Sequence, residues 1–383
     1  MDSENKESNR LYFVDNLRIM LIILVVISHL AITYGATGGW YYFEHTKDTI
    51  TTVFLQFFLS ICQAFTLGLF FLISAYFIPK SLNHKGAKYF IKDKLFRLGL
   101  PLFIYELFIN PVLVYLNVVR VQGIKISYLN YFKENMLPPK IIGTGPLWFV
   151  EALLIFSFAY VLFWIIVKPK SGKVMKTTIP KNGSILMFIF IISIITFLIR
   201  IKLPIGWSLK FFHLQFPFYT QYISFFILGI VAYKRDWLTN IPVSVGKQWM
   251  TVGALSIMCF PILAVLGGAL KGNALNFTGG FYWQNFAYAT WESFVCVGMT
   301  IGLLSLFKQK YNTQNKFTKV LSKNAYGVYL IHAPIIVLIS YASENILIYP
   351  LLKFAIVSLI SVPLCFIISH YLVIRIPYAD KIL

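Results

Sequence analysis

The sequence predicts an all-α protein that crosses a membrane about ten times, with both termini on the cytoplasmic side. Hydrophobic residues occupy 58% of the 383 positions and charged residues only 13%, about half the charged fraction of a typical soluble domain. Mean hydropathy is +0.72. Ten apolar runs are each long enough to cross a bilayer as a helix, which takes about 20 residues. Together these observations indicate a polytopic membrane protein.

The predicted spans form one membrane-embedded domain at 12–375, between a polar segment at 1–11 and a tail at 376–383. They lie at residues 12–34, 53–78, 97–119, 146–167, 184–201, 217–233, 248–268, 285–307, 324–343 and 350–374. With the N-terminus in the cytoplasm, 23 Lys and Arg residues fall on the inner side and 10 on the outer side. This excess follows the positive-inside rule and predicts a multi-pass protein of the cell membrane.

The charge balance and the cysteines argue against two other classes of function. The formal net charge is +20, yet Lys and Arg cluster in loops between apolar runs, so we expect no nucleic-acid partner. The four cysteines all lie in apolar runs without C-x-x-C spacing, and we interpret them as small buried hydrophobic residues. No two His or Cys residues are three or four positions apart, so we expect no metal site.

The first predicted span carries three polar groups that are costly in a membrane. Asp15, Arg18 and His29 lie within it, although Asp or Arg at the centre of a bilayer costs about 2.5–3.5 kcal/mol. Arg18 and His29 are about three helical turns apart, which places both on one face, roughly 16 Å apart along the axis. We therefore expect this helix to line a membrane-embedded active site. An ion pair with Asp15 is the alternative use of the Arg18 charge.

Five short motifs follow one another along the chain. They are VDNLR at 14–18 with His29 after ten further residues, 70-FFLISAYFIPKS-81, 94-KLFRLGLP-101, 146-PLWFVEALL-154 and 324-NAYGVYLIHAPI-335. In this order they resemble the motifs of the acyltransferase family 3 membrane proteins. Ala75 stands where the family usually has Gly, and Lys94 replaces the first Arg of an R-x-x-R pair. Lys94 keeps the charge but loses the planar fork that binds phosphate bidentately.

The resemblance implies an O-acyltransferase that uses acyl-CoA. Such an enzyme moves an acyl group from cytoplasmic acyl-CoA to a hydroxyl of a carbohydrate or glycolipid acceptor at the outer side. The acyl group is commonly acetyl, and succinyl in the glucan succinyltransferase-like subset. His29 either takes the proton of the acceptor hydroxyl as a general base or carries the acyl group transiently. A hydrogen bond between helices is the structural alternative for this imidazole.

Three cations are predicted to bind the acyl-CoA. Arg18, Lys94 and Arg97 all fall toward the cytoplasmic third of the bilayer in this topology. Coenzyme A carries a pyrophosphate and a ribose phosphate, and several cations at one depth suit such anions. Ordinary positive-inside charge is the alternative interpretation of Lys94 and Arg97.

Glu151 and His332 complete the predicted site. Glu151 lies a few residues into the fourth span from the outer side, where it is predicted to orient His29 or to bind acceptor hydroxyls. A charge at the outer rim is the alternative. The resemblance places His332, near the middle of the ninth span, in the site on the acyl-CoA side; a helix–helix hydrogen bond is the alternative. Glu106 and Glu292 also lie in predicted spans and receive no role.

Two outer connections, 38-GGWYYFEH-45 and 276-NFTGGFYWQN-285, are rich in aromatic and amide side chains. They fit either an aromatic belt at the membrane interface or a rim that contacts sugars. A transporter or flippase for a saccharide or lipid-linked saccharide would also have many spans and intramembrane charges, although we find no repeat between the two halves. A catalytically inactive sensor of acyl-CoA is a third possibility.

Overall fold

The computed structural model describes residues 10–44, 46–136, 143–168, 177–209, 214–376 and 379. Across these residues the regular structure is helical, without a β-strand. The helices in chain order are α1 (Tyr12–Tyr34), α2 (Thr49–Tyr76), α3 (Ile78–Lys94), α4 (Leu100–Ile104), α5 (Asn110–Arg120), α6 (Tyr128–Met136), α7 (Trp148–Val167), α8 (Asn182–Lys202), α9 (Tyr219–Arg235), α10 (Val243–Leu266), α11 (Trp283–Lys310), α12 (Lys316–Ala342) and α13 (Pro350–Ile368). Ten helical stretches in this part of the chain are long and apolar enough to cross a membrane, which confirms the predicted all-α fold with about ten spans.

Two spans, the third and the ninth, begin eight or more residues earlier than their apolar runs predict. The third belongs to a continuous helical stretch, Ile78–Arg120, because the polar residues before Arg97 also form a helix, α3. Gly86 bends α3 with a φ of +72°, a conformation that glycine adopts without steric cost. The ninth span begins at Lys316, where Asn315 forms a capping box with Thr318. Most of the predicted terminal segments, 1–11 and 376–383, lies outside the described residues.

Two wider, π-helical turns interrupt the stretch between α3 and α5, at Leu95–Gly99 and Tyr105–Ile109. The first lies just before Pro101, which has no N–H to donate to the carbonyl of Arg97. The hydroxyl of Tyr326 on α12 donates to that carbonyl instead, at 2.9 Å. This hydrogen bond joins the third and fifth of the sequence motifs in space.

Helix α1 lies at the centre of the bundle, where it packs against α2, α11, α12 and α13. Leu17, Leu21 and Leu30 along it are completely buried. Helix α10 lies at the periphery instead: Trp249 is its only buried apolar side chain apart from two glycines, and the others are half-buried or exposed to lipid. Cys259 on α10 is therefore exposed, which corrects the prediction that all four cysteines are buried; the other three are.

Successive spans alternate in direction, so the bundle has two ends. Loop 35–48, between α1 and α2, lies at one end together with the start of α7; we call this the cavity end. The start of α1, the π-helical turn at Arg97 and the start of α12 lie at the other, which we call the basic end. His29 lies on α1 nearer to the cavity end, and Arg18 nearer to the basic end.

Candidate active site

A cavity of about 1520 Å³ opens at the cavity end of the bundle. Its walls come from loop 35–48, α2, the residues that lead into α7, and the connections that precede α9 and α11. Aromatic rings and carboxamides stand side by side in these walls; they include Trp40, Tyr41, Trp148, Phe218 and Tyr288, and Gln56, Gln63, Asn110, Asn117 and Gln215. Rings offer flat apolar faces and carboxamides offer paired donors and acceptors, a combination that suits a cyclic, hydroxyl-rich ligand.

The imidazole of His29 lines this cavity. It stacks on the indole of Trp40, with ring centroids 4.1 Å apart and planes 13° apart. Its Nδ1 is buried without a hydrogen-bond partner, which leaves Nε2 as the nitrogen available to the cavity. The ring therefore faces a space within the protein and not the lipid.

His332 lies beside His29 and not beside the predicted phosphate-binding cations. The two imidazoles are 5.2 Å apart between centroids, and His332 is completely buried on α12. The Nδ1 of His332 lies 2.6 Å from the carbonyl of Tyr329, and because a carbonyl only accepts, this Nδ1 carries the proton. Its Nε2 is then an acceptor when the ring is neutral, and it has no partner. Two unpaired nitrogens thus lie on neighbouring rings.

Hydrogen bonds at Tyr41 hold the part of loop 35–48 that carries Trp40. The Tyr41 hydroxyl donates to Oδ1 of Asn110 at 2.5 Å, and Nδ2 of Asn117 donates to the Tyr41 carbonyl at 2.6 Å. Burial raises the pKa of the Tyr41 phenol, so the hydroxyl keeps its proton. A Cβ at Gly145 would lie 2.0 Å from that hydroxyl, and Gly145 has a φ of +51°. Only glycine allows the backbone this close.

The two aromatic connections behave differently in the structure. Tyr41 and Tyr42, in the first connection, are each only 8% exposed, and Trp40 and Tyr41 line the cavity. In 276–285, Phe281 and Trp283 are 81% and 55% exposed and fit an interfacial belt, whereas Phe277 and Thr278 line the cavity. The spacing of aromatic residues in the sequence does not distinguish these two cases.

The three cations predicted to bind acyl-CoA lie together at the basic end. The ammonium of Lys94 interacts electrostatically with both Arg18 and Arg97. The guanidinium of Arg18 also lies 5.3 Å from the ring centroid of Phe77. None of the three cations lines the cavity. The candidate site therefore has two parts, a group of cations at the basic end and an imidazole that faces the cavity.

Each arginine of this group also has an acidic neighbour. Arg18 and Asp15 form the expected ion pair, with an N–O distance of 3.6 Å, and Arg97 lies 3.7 Å from Asp93. The arginine side chains are 35% and 48% exposed. Exposed ion pairs of this kind contribute about 0–1 kcal/mol, so a polyanion can compete for the same guanidinium groups.

The structure does not bring Glu151 to His29. In the part of the chain that it describes, no hydrogen bond, ion pair or electrostatic interaction joins the two side chains. Glu151 instead interacts electrostatically with Glu106, on the second π-helical turn, and with Tyr219 on α9. One of its carboxylate oxygens is buried without a partner. Any effect of Glu151 on His29 is therefore indirect, and its two proposed roles stay predictions.

A buried ion pair behind the cavity wall was not predicted from the sequence. Nη2 of Arg200 donates to Glu292 at 2.7 Å, and the two side chains are 0% and 4% exposed. Nε of Arg200 donates to the carbonyl of Pro217 at 3.1 Å. The guanidinium lies 5.0 Å from the ring centroid of Phe218 and 5.6 Å from that of Tyr288, both cavity residues. The signal in the sequence was one acidic and one basic residue in separate apolar runs.

Comparison with known families assigns the chain. A family model described as an acyltransferase domain matches residues 11–370, which covers all ten spans almost completely. The chain belongs to acyltransferase family 3. The resemblance expected from the five motifs is thus confirmed, and this protein is a multi-pass membrane acyltransferase domain.

Among curated proteins, this acyltransferase family 3 chain is similar to "Glucans biosynthesis protein C" of Salmonella typhi and of Salmonella typhimurium strain LT2. Each is 26% identical over 238 residues. The matched region covers 58% of this chain and 58% of the length of each relative. No solved structure matches the chain.

Proposed function

We propose that this protein transfers an acyl group from acyl-CoA to a hydroxyl of a carbohydrate or glycolipid acceptor. The observation that carries this proposal is the position of the His29 imidazole, which lines a cavity of about 1520 Å³ while a group of cations lies nearer to the other end of the same helix. An acceptor and an anionic donor can approach such a site from opposite ends. The cavity end then faces outward, and both termini lie on the cytoplasmic side of the cell membrane.

The cavity is the proposed acceptor site. Trp40 and Trp148 offer flat faces for a pyranose ring, and Gln63 and Asn117 offer amides for its hydroxyls. The relatives' name, "Glucans biosynthesis protein C", supports a glucan as acceptor. The volume is large enough for several sugar units, since pockets for small ligands measure about 300–1,000 Å³.

The cations at the basic end are the proposed donor site. Arg18, Lys94 and Arg97 carry positive charge at one depth, as the pyrophosphate and ribose phosphate of coenzyme A require. Along α1, Arg18 is roughly 16 Å from His29 at about 1.5 Å per residue. The arm of the donor extends over that distance and delivers its thioester to the imidazole. The acyl group is acetyl or succinyl.

His29 is the proposed general base. Its Nε2 takes the proton of the acceptor hydroxyl, whose oxygen then attacks the thioester carbonyl and forms the new C–O bond. The C–S bond breaks, and the imidazolium returns the proton to the departing sulfur, which leaves as the free thiol of CoA. A base must present an unprotonated nitrogen to the cavity, which requires the His29 tautomer with its proton on Nδ1. His332 is the proposed orienting residue for that tautomer: its Nε2 is a buried acceptor on the neighbouring ring, and no hydrogen bond joins the two rings in the structure.

Product analysis tests this function. The purified protein, in lipid nanodiscs, is incubated with acetyl-CoA or succinyl-CoA and a panel of glucan oligosaccharides. We expect release of CoA thiol that depends on the sugar, together with a sugar product heavier by one acyl group in mass spectrometry. Sugar-independent thiol release alone, or binding and flux of saccharide without any acylated product, would contradict the proposal and favour a transporter.

A further inference from the structure

We propose that Glu44 and Lys353 are positioning residues for the transfer step. Their ion pair holds loop 35–48 in place, so that Trp40 stays on the His29 ring and shields the imidazole from water. This inference rests on the proposed function, since it assigns a second task to the same site. Glu44 and Lys353 act through Trp40 and make no contact with the reacting atoms.

The pair is well formed and its lysine is nearly inaccessible. Nζ of Lys353, on α13, lies 2.8 Å from Oε1 and 2.7 Å from Oε2 of Glu44. The side chain of Lys353 is 2% exposed and that of Glu44 is 29% exposed. A buried ammonium loses its hydration, and a carboxylate that replaces the lost water stabilises its charged form. The carboxylate comes from the loop, and the lysine therefore fixes the position of the loop.

Glu44 is also tied to the helix that carries His29. Its backbone N–H donates to the carbonyl of Thr33 at 2.8 Å, and the Thr33 hydroxyl donates to the carbonyl of His29 at 3.1 Å. Trp40 lies four residues before Glu44 in the same loop and stacks on His29 at 4.1 Å. Glu44 and Trp40 therefore attach the same loop to α1 on either side of Tyr41, and loss of the Glu44 contact leaves the Tyr41 hydrogen bonds to hold the indole on His29.

Few other groups can replace the Glu44 carboxylate. Among the described residues, the other contacts of the ammonium are with the carbonyl of Glu344, at 3.5 Å, and the ring of Tyr34, whose centroid is 6.0 Å away. Neither is negatively charged. The side chain of Glu344 points elsewhere, to Arg120 at 3.2 Å, and both of these groups are exposed. Glu344 is therefore a matched control, a carboxylate at the same end of the bundle that does not hold the loop.

Shielding from water matters because water competes with the acceptor. If water reaches His29, its proton passes to Nε2, its oxygen attacks the thioester carbonyl and the C–S bond breaks. The products are then the free carboxylic acid and CoA thiol, and the acyl group is lost. Exclusion of water is a general way in which enzymes suppress such hydrolysis. The ratio of acceptor-independent to acceptor-dependent thiol release measures how well the loop performs this task.

The experiment compares Glu44→Gln and Lys353→Met with Glu344→Gln and the unmodified protein in nanodiscs. For Glu44→Gln and Lys353→Met we expect the ratio of acceptor-independent to acceptor-dependent thiol release to rise about tenfold and the acceptor KM to rise. The acyl-CoA KM should stay within about twofold of that of the unmodified protein. Lys353→Arg keeps the charge and can bind the carboxylate through two N–H groups, so it should restore a low ratio. Glu44→Gln alters a partly exposed loop residue and serves if Lys353→Met does not fold.

Two results would overturn the inference while the proposed function stands. In the first, the unmodified protein transfers acyl groups, but Glu44→Gln and Glu344→Gln have the same ratio of acceptor-independent to acceptor-dependent thiol release. The other is an equal fall of hydrolysis and transfer at a constant ratio, which marks a merely structural pair. If the unmodified protein forms no acylated sugar with any acceptor, the proposed function fails, and this inference fails with it.

Discussion

The centroids of the His29 and His332 imidazole rings lie 5.2 Å apart. A backbone carbonyl fixes the tautomer of His332 but not that of His29. Tyr329 accepts the Nδ1 proton of His332, so the Nε2 of that ring is an acceptor beside His29. His29 has no such backbone partner, and its Nδ1 is unpaired. The neighbouring acceptor proposed to orient this base is therefore on a residue 303 positions away in the sequence.

Two substitutions at His332 distinguish the roles of its two ring nitrogens. Asn places an amide near the position of Nδ1 and keeps the hydrogen bond to Tyr329, whereas Gln reaches the position of Nε2 and can accept from His29. General acid–base catalysis contributes about 10²–10⁴-fold, and we expect His332→Asn to lower kcat by about 10²-fold. His332→Gln should retain more activity than His332→Asn. The measurement is the kcat for acylated sugar, with acceptor and acyl-CoA both saturating.

The opposite order of activity would show that the bond to Tyr329 matters and that the Nε2 of His332 does not. Equal loss in both variants, together with lower thermal stability, would indicate that His332 only packs the helix interface. Either result removes His332 from the proposed orientation of His29.

Loss of a cation at the basic end should weaken donor binding selectively. We expect Arg18→Gln, Lys94→Gln and Arg97→Gln each to raise the acyl-CoA KM about tenfold, which corresponds to about 1.4 kcal/mol. The acceptor KM should not change, because none of the three side chains lines the cavity. Lys92→Gln is the matched control, since Lys92 is exposed near the end of α3. A rise in the acceptor KM instead would place the acyl-CoA site elsewhere.

Removal of one member of the Arg200–Glu292 pair should destabilise the protein. Glu292→Gln leaves a buried guanidinium without its counter-charge, and breaking such a pair costs about 3–5 kcal/mol. Replacement of both residues by Met removes the charge imbalance and should recover much of the loss. The check is the thermal unfolding midpoint in detergent. An unchanged midpoint for Glu292→Gln, or a double variant less stable than either single one, would contradict the importance of this pair.

The Asp48 carboxylate should make the thermal stability of the protein fall at acidic pH. The Thr51 hydroxyl and backbone N–H and the Tyr349 hydroxyl all donate to its carboxylate, and they hold the pKa of Asp48 below its usual value. A lowered folded-state pKa means that the stabilisation is complete above the unfolded pKa of about 3.9 and is lost as pH falls through the folded-state pKa. Asp48→Asn should therefore unfold at a lower temperature than the unmodified protein at pH 7. The difference should shrink below about pH 4; a constant difference would show that these hydrogen bonds do not depend on the charge.

Hydropathy alone was enough to predict the ten spans, because burial in lipid requires long apolar helices whatever their partners. It could not predict which helices are central. Helix α10 and helix α1 are both apolar, yet α1 packs against four helices and α10 faces outward. The helix starts at Ile78 and Lys316 were also missed, because the residues that follow them are mostly polar; the second start is capped by Asn315.

Motifs located the candidate residues, but not their neighbours. His29 and Arg18 are on one helix, so their separation follows from helical geometry. The meeting of His29 with Trp40 depends on the path of a loop, and that path is set by Glu44, Lys353 and Tyr41. Lys353 is one of the ten Lys and Arg residues assigned to the outer side. The sequence around a single lysine in an apolar run does not show whether its ammonium is solvated or paired.

The rate at which His29→Gln forms acylated sugar tests the central claim most directly. His84→Gln is the control, because His84 is an exposed histidine on α3. If the His29 imidazole is the general base, His29→Gln should lose about 10²–10⁴-fold in kcat while its acyl-CoA KM stays near that of the unmodified protein, and His84→Gln should be fully active. Formation of acylated sugar by His29→Gln at the unmodified rate would show that the chemistry takes place without this imidazole.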